Sequence, residues 1–203
     1  MHLAPPSGVE GLIGARILGS MTESSAPVPS SVRTSVAISL SKGIGELVGA
    51  QVQVVIFGRA VSLQVERVTS RRPRPGGIAE VFADAYLLAF ALRDLLRAAE
   101  LVHKLAGGTA VEQAIGKFLD AVPDVKQARD VLEHFDEYLV GKGRDPAARG
   151  DFQPSITDRT GDGVSLEIGP YRIDVTRASE AASKLTVALL SLTPEVRRAI
   201  EGR

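Results

Sequence analysis

The sequence predicts a mainly α protein, α+β overall: a four-helix bundle with an inserted β-hairpin and a small N-terminal β element. Three observations carry this prediction. Residues 78–105 contain neither Pro nor Gly and place Phe82, Ala85, Ala89, Leu92, Leu96 and Ala99 along one helical stripe. Val125, Ala128, Leu132, Phe135 and Leu139 recur at three- and four-residue steps. Gly169-Pro170 separates two β-like runs, Val164 to Ile168 and Tyr171 to Val175.

Taken in order, residues 1–31 are rich in Pro, Ser and Gly and read as disordered. Met21 offers a second start, which would make residues 1–20 an upstream extension. Over 32–70 the runs Val36 to Leu40 and Val52 to Phe57 are β-like, and Val61 to Val65 alternates with period two, so a small β element is expected there. Gly43, Gly45 and Gly49 lie between the first two runs, too close to Val52 to leave room for the helix of a dinucleotide-binding loop; they read as a glycine-rich turn. Arg71 to Gly77 reads as a linker, and its Arg71, Arg72 and Arg74 as solvated charges.

The bundle spans 78–191. Its first helix stops at Gly107-Gly108. Thr109 and Glu112 have the spacing of a capping box that opens a second helix, running to about Val122. Pro123 opens the third helix, which ends near Gly141. Phe152 to Thr157 is a further candidate strand, and the hairpin occupies about 152–175. Ser179 to Leu190 supplies the fourth helix, and Thr193-Pro194-Glu195 starts a short last helix within 192–203.

Composition narrows the function. Lys+Arg and Asp+Glu are both 24, so no global field attracts a polyanion. The absence of Cys excludes disulfides and thiolate zinc sites. His2, His103 and His134 are widely separated and share no helix face, so no metal and no cofactor are expected. Asp158, Asp162 and Glu167 belong to turns and do not suggest calcium. The longest apolar run, Ala85 to Leu92, is too short to span a bilayer, so a cytoplasmic chain with no membrane partner is expected.

The densest chemistry lies between Ala128 and Tyr138, where an arginine, a histidine, a tyrosine and four carboxylates fall within three helical turns. At about 100° per residue, His134 lies opposite Leu132 and faces away from the core. Asp130 four residues before it and Tyr138 four after should share its face. Imidazole is the side chain suited to moving a proton at neutral pH, and a neighbouring carboxylate fixes its tautomer. Arg129 stands about 140° away on the wheel and supplies a planar fork for phosphate. The same residues also suit a solvated face laced with ion pairs, Arg129 with Glu133 and Lys126 with Asp130. Arg93 and Arg97, one turn apart, either widen a phosphate groove or form a surface rim. Glu100 and His103 are spaced to pair, but a histidine facing the helix C-terminus is the simpler reading.

Arg129, Asp130 and His134, on the third helix of the bundle, resemble the Arg-x4–6-His motif of the HEPN superfamily, in which a polar residue often follows the arginine. The resemblance covers about residues 78–142. It implies a metal-independent endoribonuclease, a toxin or stress effector acting as a homodimer in which the motifs of two protomers meet. RNA would be the substrate, and an antitoxin-type protein an accompanying partner. Arg129 would hold the phosphate, His134 would move the proton, and Asp130 would orient the histidine. Arg93, Arg97 and Tyr138 would add binding contacts. Some HEPN toxins carry a tyrosine two residues after the histidine, where a partner enzyme modifies it. That position is Asp136 here, so this partnership is not implied. The alternative function is a non-catalytic HEPN-like module for dimerisation or for binding a nucleotide or partner.

Overall fold

A computed structural model describes residues 30–70, 78–150, 154–159 and 163–191 of the chain. The expectations for 1–29, for the 71–77 linker, for the 160–162 turn and for the last helix lie outside these residues. The protein is mainly helical and carries one small antiparallel sheet.

The first element corrects the sequence reading. Residues expected to form a β element form α1, a 41-residue helix from Ser30 to Ser70. The period that matters over this stretch is seven. Leu47, Val54, Val61 and Val68 are buried at seven-residue steps, and Ala50 is buried three residues after the first of them. That is the seam of a coiled-coil-like contact, laid against the next helix. Valine loses only a few tenths of a kcal/mol per residue in a helix. Burying each valine of the seam contributes about 1.5–3 kcal/mol, so packing overrides propensity. The glycine-rich turn is likewise absent: Gly43, Gly45 and Gly49 lie within α1. Gly58 makes a close approach, because a Cβ there would stand 2.6 Å from Thr186 Oγ1, in the helix Val175–Ser191.

Length and composition alone would let Lys42–Ser70 cross a bilayer. One side of the helix is sealed against the body of the protein. The other exposes Ile44, Val48, Val52, Val55, Ile56 and Leu63.

The centre of the molecule is α2, Ile78–Ala106, as the sequence predicts within a residue. Ala85, Leu88, Ala89, Leu92, Leu95, Leu96, Ala99 and Val102 are all buried, because α2 meets α1 and three of the helices that follow it. Asp84 is fully buried, with Arg67 of α1 at 3.3 Å, a charge-paired clamp between the two helices. Gly107 and Gly108 stop α2 with φ of 70° and 94°, a conformation that suits glycine.

Helix α3, Thr109–Ala121, starts without the expected capping box: its N-cap is Gly108, with no side-chain cap bond. Residues 122–124 turn the chain, so Pro123 precedes the next helix instead of starting it. The expected single third helix is two, α4 from Val125 to Glu133 and α5 from Phe135 to Leu139, separated at His134. After a short 3-10 turn at Pro146–Ala148, strands β1 (Ser155–Arg159), β2 (Gly163–Ile168) and β3 (Tyr171–Asp174) form an antiparallel meander in that order. The predicted hairpin is its second half: Ile168 pairs with Tyr171 across Gly169-Pro170, and Gly169 has φ of 55°. Leu166, Ile168 and Ile173 enter the core. Helix α6, Val175–Ser191, follows β3 directly, beginning four residues earlier than predicted, and packs on α3 and α1.

Candidate functional site

The break in the third helix sets the geometry of the candidate site. His134 has φ −110° and ψ 35°, well away from helical values, and caps both α4 and α5. Its carbonyl still accepts from Glu137 and Tyr138, so the chain resumes helical turns with a changed phase. Leu132 before the break is buried, as predicted. After it, Phe135 and Leu139 are exposed instead of buried, and Tyr138 is buried instead of exposed.

Tyr138 is therefore not a binding residue beside His134. It is 2% exposed, its hydroxyl accepts from the Asp145 backbone N–H at 3.3 Å, and its ring lies so close to Gly143 that any Cβ there would collide with it. The wheel placed it wrongly because it assumed an unbroken helix.

The His134 side chain is 40% exposed. Its Nε2 lies 3.9 Å from Asp130 Oδ1 and 3.8 Å from Glu133 Oε2, and its Nδ1 lies 3.8 Å from Glu137 Oε1. These separations exceed hydrogen-bond length, so three carboxylates surround the ring and none of them clamps it. Asp130 is near the histidine as the motif implies, but as one of three. Arg129 engages Glu133 with both terminal nitrogens, Nη2 to Oε1 at 2.6 Å. Its guanidinium also lies over the Phe90 ring, 5.3 Å from the centroid. Glu133 thus touches the arginine and neighbours the histidine, a bridging place that the motif does not reveal. Asp130, Glu133 and His134 also offer one donor atom each within 4.8 Å, a set that could hold a divalent cation. The spacing of single histidines along the chain had not suggested this.

The neighbouring groups connect α2 to α4. Arg93 Nη1 lies 3.3 Å from Glu100 Oε2, and Lys126 Nζ lies 3.2 Å from Glu100 Oε1. Lys126 therefore pairs across helices and not with Asp130, and Glu100 takes these cations and not His103. Arg97 is exposed, 3.8 Å from Asp94. Arg93 and Arg97 follow Phe90 by three and seven residues on α2, one face of that helix. Sequence reasoning missed the aromatic partner: Phe90 stacks on Tyr86, centroids 4.3 Å apart and planes 15° from parallel. The i,i+4 spacing of Tyr86 and Phe90 was the available signal.

A groove of about 600 Å³ lies elsewhere, between α3 and α6, with Lys117, Arg177 and Lys184 along an alanine-rich floor. Arg177 donates to the Asp120 carbonyl and Lys184 lies 3.5 Å from Glu180. The residues lining the groove include no histidine. No family model matches the chain, and no curated protein or solved structure matches it either.

Proposed function

We propose that the protein is a metal-independent, HEPN-like endoribonuclease that works as a homodimer, in the manner of a toxin or stress effector. One observation carries this reading: Glu133 pairs with Arg129 and lies 3.8 Å from His134, whose side chain is 40% exposed at the end of α4. RNA brings its own nucleophile, so the protein has only to move a proton and stabilise charge. His134 would accept the proton of the ribose 2′-OH as that oxygen bonds to phosphorus. The bond from phosphorus to the 5′-oxygen would then break, and that oxygen would take up a proton from an imidazolium. Arg129 would hold the charge gathering on the phosphoryl oxygens. The products are a 2′,3′-cyclic phosphate and a 5′-hydroxyl. Exposed Phe135, Leu139 and Val140, in and just after the helix that follows His134, supply apolar surface on which two such sites could meet.

A second reading, a non-catalytic binding module, is favoured by the engagement of Arg129 with Glu133 and Phe90, which leaves its fork partly occupied. Cleavage of a broad RNA panel in EDTA separates the two. The wild-type chain is expected to release cyclic-phosphate ends, His134→Ala to release none, and Arg129→Lys to be strongly impaired because lysine lacks the planar fork. Equal products from wild type and His134→Ala, or none from either, would leave the binding module as the function.

A further inference from the structure

We propose that Tyr86 seats an unpaired nucleobase, which makes single-stranded RNA the substrate class; this rests on the ribonuclease reading. Tyr86, Phe90, Arg93 and Arg97 follow one another at helical spacing along one face of α2. Phe90 is held in the packing between helices, and Arg129 of α4 covers it. Tyr86 lies parallel to Phe90 on the outer side and is 40% exposed. The aromatic pair therefore leads from solvent to the arginine that would hold the scissile phosphate. A ring already flattened against an anchored neighbour loses little freedom when a base stacks on it. Bases inside a duplex are stacked on both faces and have none to offer, so only an unpaired nucleotide fits.

The charges nearby point the same way. Arg93 and Lys126 share Glu100, Arg97 faces Asp94, and Arg129 faces Glu133, so three carboxylates offset most of the charge of four cations. With each of these cations facing a carboxylate, stacking has to supply affinity that the backbone charge of RNA does not. A shallow dependence on salt follows.

The test uses the full chain with His134→Ala, so that the RNA stays intact, and a fluorescein-labelled mixed-sequence RNA offered as a single strand and as a duplex. The single strand is expected to bind more tightly. Tyr86→Ala should weaken it by about 5- to 150-fold, the usual effect of removing one stacking ring. Tyr86→Phe should bind like its parent. The chain has no Trp and three Tyr, at 86, 138 and 171, so the share of the tyrosine emission that Tyr86→Phe removes reports on Tyr86. RNA should quench that emission in the parent and not in Tyr86→Phe. Circular dichroism confirms that each variant is folded. Tight binding by a folded Tyr86→Ala chain, or quenching that persists in Tyr86→Phe, overturns the base seat and leaves the ribonuclease reading standing. A parent that binds neither RNA overturns both.

Discussion

Glu133 pairs with Arg129 and lies 3.8 Å from His134. In the free protein it occupies the fork that a phosphate would need. An exposed i,i+4 pair of this kind contributes about 0.3–0.5 kcal/mol. Glu133→Gln should therefore raise RNA affinity by about twofold, measured by titration in the His134→Ala background. An affinity that falls would mean that Glu133 positions Arg129 productively. The contrast with Tyr138 shows how far single residues were legible. The nearness of Asp130 to His134, 3.9 Å, follows from four-residue spacing up to the end of α4. The relation of His134 to Tyr138 crosses the break, and four-residue spacing ceases to mean a shared face there. Nothing in the local residues, neither Pro nor Gly, announces that break.

At the scale of elements, the pairing of α1 with α2 depends on a carboxylate taken out of water. Asp84 is fully buried, and the Arg67 guanidinium at 3.3 Å is its cationic partner. Arg67 is 58% exposed and Asp84 has further partners, so the guanidinium supplies only part of the compensation for the buried carboxylate. Arg67→Ala should lower stability by about 1 kcal/mol in urea unfolding, and adding Asp84→Asn should recover part of that loss. A fully additive double variant would mean that the two groups are not coupled. Helices α2 and α6 were readable because their apolar residues repeat at helical spacing without interruption. The α1 helix was not, because two patterns compete in it. Val61 to Val65 alternates like a strand, while Leu47, Val54, Val61 and Val68 repeat like a coiled-coil seam. The first pattern is local, and the second shows only over three heptads. The hairpin was legible because Gly169-Pro170 fits the two-residue loop between β2 and β3.

For the whole molecule, the ribonuclease reading requires two chains, since one Arg129 and one His134 make a thin active site. Leu139, the last residue of α5, is 57% exposed, and Phe135 and Val140 at the two ends of that helix are exposed as well. Light scattering should give the mass of two chains for the wild type, and Leu139→Asp should shift it toward one. Cleavage should fall in step with the loss of dimer. A dissociated Leu139→Asp chain with full activity would place the complete site within a single protomer.

The composition of α1 has a consequence beyond packing. Val52-Gln-Val-Val-Ile-Phe57 combines β-branched residues with no charge, no Pro and no Gly, the signature of a segment that stacks into cross-β fibrils. In the native protein the helical hydrogen bonds of α1 keep its backbone groups internal, and α2 holds it in that state. Whatever loosens α1 from α2 therefore converts a stability defect into an aggregation hazard. A peptide covering residues 47–68 should give a β-type dichroism spectrum and bind thioflavin T, and Val54→Lys should suppress both. A soluble, helical peptide would mean that the stretch encodes its own helix. Otherwise chaperone demand, and not activity, becomes the first symptom of substitutions along the seam.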